Sequence, residues 1–569
     1  MRVQPDITSV TGAFDYEVPV AWEEDGRADR VAVGSLVRVD FSGRRTAGWV
    51  VEVDVEPTPG VEVQPLRRWS SVGPPSELID LAEWAAWRWN GRIPHFLRAA
   101  SPPRMVPSVR PRSSSFVAAD AAVRRAAFDG PLTLVRTTPS DPGVDLALAA
   151  AELGPALVLV PTIARRRILV RALKHAGVDV AEYNTQWERA AGGAVTVGTR
   201  LSAWAPTPDL AAVLVLDEHD HAYKEERTPA WNARDVAIER AARRNIPCVL
   251  ASSTPSLEAL ERAERRLVPE RSSERGGWPQ LHVVDLRTRE HPGLLTDDIV
   301  DLVRGPGPIA CVLNRKGRAR MLACATCASL ASCDACAAAV AQPDDDSGLV
   351  CSRCGTQRPV VCTECGGTKM KLVRPGIGRI AEELRALAKR DVLEITAETP
   401  ERDLQGDQLL IGTEAVLHRL ESARAVIFLD FDQELAVPRI RAAEDAFALL
   451  GLAARLVGPR SAGGRVVVQT RRPDDVVLDA ALHGDPDRVA RAQRDIRTVF
   501  QQPPYGAWAL VSGAGAAEFV DTLPATVRVL RNEDRWRVAA ADHDTLLDAL
   551  AATPRPAERV RVVVDPLDA

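Results

Sequence analysis

The sequence has no long apolar run. Nothing in its 569 residues approaches the ~18 consecutive apolar residues of a membrane span, which excludes an integral membrane role. The N-terminal Met1-Arg-Val-Gln-Pro-Asp6 lacks an apolar segment and a cleavage site, so a cytoplasmic protein is expected. Lysine is scarce, six of the 72 basic residues, a bias of coding composition rather than of chemistry. Net charge is small, −5, and neither demands nor forbids a nucleic-acid partner; clustering decides that. Residues 301–380 carry eleven basic and six acidic side chains, a local +5 against −10 for the rest of the chain. Cysteine is nearly absent outside that same island: eight of the ten lie between Cys324 and Cys365. What remains, 46% hydrophobic and 26% charged residues, is the composition of an ordinary folded chain. At ~100–200 residues per domain, its length implies roughly three to five domains.

The pattern changes four times along the chain. Residues 1–72 read as a β-rich domain, with Val37 and Val39 alternating before a Phe41-Ser-Gly-Arg-Arg45 turn and a strand over Thr46–Asp54. Residues 73–115 read as a helical region, periodic over 76–99, followed by a Pro, Ser and Arg-rich linker from Ser101 to Ser115. Short apolar runs alternate with helices over 116–275 (Leu132–Val135, Leu157–Val160, Val195–Gly198, Val213–Leu216, Val249–Ser252) and again over 276–500, which predicts two doubly wound α/β lobes. Residues 501–569 carry their own strands and one helix, a small α+β domain. Cys248 and Cys311 sit inside apolar strands and are expected in the core.

The other eight cysteines form four CxxC pairs within 42 residues. Two residues between cysteines let both thiolates of a knuckle reach one tetrahedral ion, so eight cysteines predict two zinc ions in an insertion over 322–368. Zinc ribbons separate their knuckles by ~15–20 residues, and only the second and third pairs, fourteen apart, approach that. The nested arrangement follows: Cys333, Cys336, Cys351 and Cys354 on one ion, Cys324, Cys327, Cys362 and Cys365 on the other. All-sulfur sites leave no position for a water nucleophile, so the zincs are expected to be structural.

Asn314-Arg-Lys-Gly317, the four CxxC pairs and Gly376-Ile-Gly-Arg379 together closely resemble the PriA family of bacterial replication restart proteins. Phe14-Asp-Tyr16 and Val37-Arg-Val39 with Phe41-Ser-Gly43 resemble that family's 3′-end-capturing domain. Gly198-Thr-Arg200, Glu218-His-Asp220, Tyr223-Lys224, Ala233-Arg-Asp235 and Ser253-Thr-Pro-Ser256 resemble segments of its helicase core. The resemblance implies RecA-like lobes of the superfamily-2 helicase type, a winged-helix-like region at 73–115, and a 3′-end pocket at Phe14, Asp15, Gly43 and Arg67. It also implies forked and single-stranded DNA, single-stranded-DNA-binding protein, helicase-loading proteins and the replicative helicase as partners of a nucleoid-associated monomer. Arg315, Lys316, Arg318 and Arg320 flank the first knuckle, either as phosphate contacts or as a solvated turn.

The motor motifs, however, are broken. After Leu132–Val135, Arg136-Thr-Thr-Pro-Ser-Asp-Pro-Gly143 stands where a phosphate loop GxxxxGK[ST] belongs. Asp141 replaces the Lys, Pro142 the Ser/Thr, and Pro139 and Pro142 remove amide donors, so ATP binding is doubtful. The family's Q-x-x-G-R-x-G-R positions read Leu452, Arg455, Leu456, Gly458 and Pro459, with Arg460 one place away as a shifted substitute finger. Gly412-Thr-Glu-Ala415 lacks the Lys-Gly that follows in active relatives. Asp217 and Glu218 stand as possible remnants of a magnesium-binding Asp and a catalytic Glu. The expectation is a restart protein without helicase activity; the alternative is an active ATP-dependent 3′→5′ helicase with an atypical nucleotide site. The Tyr223–Trp231 loop and Ser253–Ser256 are left as either DNA-facing or packing elements.

Overall fold

The computed structural model describes residues 1–10, 12–111, 125–183, 185–288, 293–314, 322–336, 338–342, 347–351, 354–372, 377–395, 399, 408–532 and 534–567. The N-terminal sheet holds β1 (Arg2–Pro5), β2 (Phe14–Glu17), β3 (Leu36–Phe41), β4 (Arg44–Glu52), β5 (Gln64–Pro65) and β6 (Arg68–Ser71), in the order β5-β2-β1-β4-β3-β6. Val37 and Val39 point inward with Val3, Tyr16, Val50 and Leu66 and give it a core of its own. Ser42 and Gly43 both have positive φ, as a two-residue hairpin between β3 and β4 requires. The sheet curls enough for Phe14 of β2 to meet Phe41 of β3 at 4.8 Å between ring centroids, although β1 and β4 lie between those strands.

The helical periodicity over 76–99 is realised as two helices, Ser76–Arg88 and Ile93–Ala100. They break at Asn90, whose φ is 46°, and at Gly91, where Pro229 and Phe96 approach too closely to admit a Cβ. Among the described residues of 73–111 there is no strand. The expected linker is pinned at one point within 101–111: Val106 is buried, its N–H donates to Ser71 Oγ (2.9 Å), and its carbonyl accepts from Val72 N–H (2.9 Å). The end of the expected linker, 112–115, lies outside the described residues.

The first lobe is a parallel sheet of β7 (Leu132–Arg136), β8 (Ala156–Leu159), β9 (Val180–Glu182), β10 (Val195–Gly198), β11 (Ala212–Leu216), β12 (Cys248–Ser252) and β13 (Arg265–Leu267), ordered β13-β7-β12-β11-β8-β10-β9. The second holds β14 (Gln280–Asp285), β15 (Ile309–Val312), β21 (Val392–Ile395), β22 (Leu409–Gly412), β23 (Ala425–Phe428) and β24 (Arg465–Thr470), ordered β14-β24-β23-β15-β22-β21. Numbered by position within its lobe, each sheet runs first, sixth, fifth, second, fourth, third, with β13 added at one edge of the first lobe. The two lobes therefore share one topology, and ligands of such folds bind at the carboxyl ends of the strands. Their inner strands are buried on both faces, which explains the near-continuous Val, Leu and Ile runs, whereas the edge strands β13 and β14 are partly exposed.

The cysteine insertion leaves the second lobe after β15 as two small sheets, β16 (Leu322–Cys324) with β20 (Met370–Leu372), and β17 (Val340–Ala341), β18 (Leu349–Cys351) and β19 (Gln357–Arg358). The C-terminal sheet, β25 (Ala507–Ser512), β26 (Arg528–Asn532), β27 (Arg535–Ala540) and β28 (Arg561–Val564), is antiparallel in the order β26-β27-β25-β28 and backed by the helix His543–Ala552. One apolar core joins it to the first lobe and the 76–100 helices. Trp89, Phe96, Trp204 and Trp231 form a continuous aromatic chain there, adding about 0.5–1.5 kcal/mol per pair beyond area burial. No helix among the described residues is long and apolar enough to cross a membrane.

Candidate functional site

Three places bring sequence-predicted residues together. The first is the rim of the N-terminal sheet. Phe14 is 38% exposed and packs edge-on against Phe41, directly before the Ser42-Gly43 hairpin, where nothing stands within 4 Å of a Cβ built on Gly43. Asp15 does not share this face, because successive strand residues point to opposite sides. Its side chain is only 6% exposed: Oδ2 accepts from Thr58 Oγ1–H (2.6 Å) and Thr58 N–H (2.8 Å), and Arg2 lies 3.4 Å from Oδ1. These bonds, Thr58 first, hold the Asp15 carboxyl below the usual carboxylate range. Arg67 pairs with Asp40 at 2.7 Å. Phe41 is the partner that sequence reasoning passed over; its place directly before a Ser-Gly turn was the available signal.

The second place is the insertion. The thiols of Cys324, Cys327, Cys362 and Cys365 lie within 4.8 Å of one another, and so do those of Cys333, Cys336, Cys351 and Cys354. Nearest Sγ–Sγ distances are 3.5–3.6 Å. That is far from the ~2.05 Å of a disulfide and near the edge of about 3.8 Å of a tetrahedron with ~2.3 Å zinc–sulfur bonds. Ala328, Gly355 and Gly366, each directly after a CxxC pair, have positive φ, the backbone that folds a knuckle around an ion. Amide donors, Cys327 N–H first, pull the Cys324 thiol down to about 6. Although the Gly367 amide pulls Cys365 down, the neighbouring Cys327 and Cys324 thiols push it up to about 12. Four thiolates this close need a cation between them, and the donor set fits zinc. Arg315, Lys316, Arg318 and Arg320 lie outside the described residues.

The insertion is anchored by Asn314, whose Nδ2 donates to Glu434 Oε1 (2.7 Å) and whose Oδ1 accepts from Glu414 N–H (2.6 Å). Burial pushes the Glu434 carboxyl up to about 7 against the pull of that amide. A carboxyl raised in the folded state contributes stability that is complete below its unfolded pKa, about 4.3, and is lost as pH rises through the folded value. Thermal melts from acid to neutral pH should therefore fall, and Glu434→Gln should reduce the slope. The slope should persist in part, because burial and Asp432 push Asp430 up to about 7 as well.

The third place is the cleft between the lobes, where the broken motor motifs meet. The 137–143 loop runs from β7 to the helix Val144–Leu153, and a Cβ on Gly143 would stand 2.6 Å from the Leu216 side chain. Asp141 turns back on the loop, its Oδ1 accepting from Gly143 N–H (2.8 Å). Asp217, at φ 51° just past β11, is paired with Arg455 of the second lobe and lies 3.4 Å from Arg165. Burial pushes its carboxyl up, and Arg455 and Arg165 more than reverse this. Glu218 is engaged too, accepting from Ser256 N–H (2.7 Å), Ser256 Oγ–H (2.8 Å) and Arg234 Nη1 (2.9 Å). Arg460 is exposed on a short 3-10 turn; the arginine that reaches the loop is Arg455, whose Nε donates to the Pro139 carbonyl (2.9 Å). The two ends of the Tyr223–Trp231 loop pack inward, with Tyr223 Oη–H donating to Leu216 O (2.6 Å) and Trp231 buried against Trp204, while Glu226, Arg227 and Thr228 between them are exposed. Lys224 donates to the Val564 carbonyl (2.7 Å), and burial pushes its ammonium down to about 8.

Comparison with known proteins places these features. A family model described as the 3′ DNA-binding domain (3′BD) matches residues 2–102. Relatives include the replication restart proteins PriA of Bacillus subtilis, 26% identical over 63% of this chain and 49% of the relative, and of Haemophilus influenzae, 28% identical over 62% and 54%. That of Rickettsia prowazekii is 27% identical over 59% and 56%. The chain thus spans about half the length of the curated relatives it matches. Among solved structures, RecG bound to a three-way DNA junction has a TM-score of 0.36 at 12% identity, covering 67% of this chain and 47% of that one. A DEAD box protein from Methanococcus jannaschii has 0.31 at 9%, covering 65% and 88%. The chain is therefore related to the replication restart proteins PriA and shares their 3′ DNA-binding domain over residues 2–102.

Proposed function

We propose that this protein recognises stalled or abandoned replication forks, binds the DNA 3′ end and promotes primosome assembly and reloading of the replicative helicase, without unwinding DNA itself. The observation that carries the reading is the 3′ DNA-binding domain at 2–102 with an exposed aromatic ring, Phe14, at its rim. An aromatic face there stacks a terminal base, the Gly43 hairpin allows close approach, and Arg67 supplies positive charge. Asp15 accepts from a free 3′-hydroxyl only if the Thr58 loop yields. Two structural zinc ions hold the insertion as a docking module for single-stranded-DNA-binding protein or the helicase loader, and the protein acts as a monomer. The absence of unwinding is supported by Asp141 and Pro142 in the phosphate loop and by the engagement of Asp217 and Glu218 with arginines.

A second reading, an active ATP-dependent 3′→5′ helicase, is favoured by the retained Asp217-Glu218 pair at the end of β11. Purified protein on a fork with a recessed 3′ end separates the two. Phe14→Ala should weaken binding by roughly tenfold, since one stacked base contributes about 1–3 kcal/mol, and affinity should fall steeply with salt. Blocking the 3′-hydroxyl should have a similar effect. Unchanged affinity in Phe14→Ala combined with Asp15→Ala would remove the 3′-end assignment, and DNA-stimulated ATP hydrolysis would favour the second reading.

A further inference from the structure

The helix Ala442–Val457 of the second lobe lies across the motif loops of the first. Glu444, Gly451 and Arg455 fall on one stripe of it, at i, i+7 and i+11, with Arg441 and Asp445 flanking the first of them. Together they meet three segments of the first lobe: 254–258, His221 and the cleft at Pro139 and Asp217. Arg441 Nη1 donates to Glu258 Oε2 (2.8 Å), and Glu444 Oε1 accepts from Leu257 N–H (2.8 Å). Asp445 Oδ1 stands 3.0 Å from His221 Nε2. Gly451 is small enough to seat against Thr254; a Cβ there would lie 2.9 Å from its methyl. Arg455 spans the last gap, bonding the Pro139 carbonyl and pairing with Asp217, while Arg165 closes the far side through Asp141 O (3.2 Å).

We infer that this stripe is a built-in latch: the Arg455–Asp217–Arg165 cluster fills the cleft between the lobes and holds them closed without a nucleotide, so that the two-lobed core serves as a fixed platform for the DNA-end domain. The inference rests on the reading that the cleft does not turn over ATP. Physically, two guanidiniums and one buried carboxylate occupy the mouth that a triphosphate and its metal would need, and the cluster satisfies charges that the open state would expose separately.

Hydrogen exchange of the full-length protein tests it. In the unaltered protein, amides of 137–143 and 217–220 should be protected, and magnesium-ATP should not change them. Arg455→Glu should raise exchange in those two segments about tenfold or more, with the C-terminal sheet and the N-terminal domain unaffected, while Arg455→Lys should retain most of the protection. Labels placed by non-natural amino acids at the exposed Ile168 and Val499 should report one narrow inter-lobe distance that lengthens in Arg441→Glu with Arg455→Glu. Unprotected loops in the unaltered protein, or a charge reversal that changes neither exchange nor distance, would overturn the latch. ATP hydrolysis by a protein whose nucleotide-free lobes are nonetheless closed would overturn the no-turnover reading and the fixed platform, while leaving the closing contacts themselves in place.

Discussion

Removal of metal from the cysteine insertion is expected to unfold residues 322–372 while both lobes stay folded. Among the described residues the insertion has little else to hold it: its own core is Leu322, Ala331, Ala338, Val340 and Leu349 with the Cys333 and Cys351 side chains, and Ala339 packs on Ala436 of the second lobe. So few apolar groups cannot offset the conformational entropy of ordering about fifty residues at ~1–2 kcal/mol each. A structural zinc contributes about 10–16 kcal/mol of binding free energy at neutral pH, which is folding free energy when no site exists in the unfolded chain. The purified protein should contain two zinc ions. A chelator should remove both and abolish amide protection in the insertion, with the melting of the lobes little changed, because their parallel sheets do not pass through it. Cys362→Ser and Cys333→Ser should each cost one ion, and the double variant both. Cys324→Ser combined with Cys362→Ser should cost only one ion; the nested assignment fails if that pair costs both, and the structural role fails if chelated protein keeps its protection.

The two four-cysteine clusters were readable in the sequence because a CxxC knuckle is a local device: two residues of spacing fix the bite, and knuckle separations favour the nested grouping. The lobes were readable for a similar reason, since runs such as Val213–Leu216 and Leu409–Gly412 are buried on both faces and carry no polar interruption. β9 and β13 were not, being three-residue strands at the two edges of the sheet, one with a glutamate and the other with two arginines. The helical stretch over 76–99 concealed its break because apolar spacing survives a turn at Asn90-Gly91. The DNA-end rim was half legible: Phe14 and Gly43 stood out by resemblance. That Asp15 turns to Thr58 depends on a contact 43 residues away. The cleft was legible only as damage. Loss of the phosphate-loop lysine appears in the string of letters, but its consequence, Arg455 reaching residues 238 and 316 positions away, belongs to the closed pair of lobes.

Glu218 separates the motor and platform readings by the quantity its loss should change. Its side chain is fully buried and receives three donors, from Ser256 N–H, Ser256 Oγ–H and Arg234 Nη1. Ser256 in turn caps the helix Leu257–Arg262, and Arg234 is itself buried, with Asp235 as its remaining carboxylate. Glu218→Ala therefore strands a buried guanidinium hydrogen and a buried amide. Breaking one side of such a pair costs about 3–5 kcal/mol, which should lower the melting temperature by about 10 °C for a unit the size of one lobe. Glu218→Gln keeps an acceptor for the Ser256 amide but turns an NH₂ toward Arg234, and should cost about 1–2 kcal/mol. If Glu218 were instead a catalytic carboxylate, the isosteric glutamine would abolish DNA-stimulated ATP hydrolysis in addition to this loss of stability. Both oxygens are already engaged, Oε1 by the Ser256 amide and Oε2 by the Ser256 hydroxyl and Arg234, which fixes the carboxylate against the helix cap rather than toward a water. The structural outcome, stability lost with no turnover to lose, is thus the one expected from thermal melts and phosphate release measured side by side.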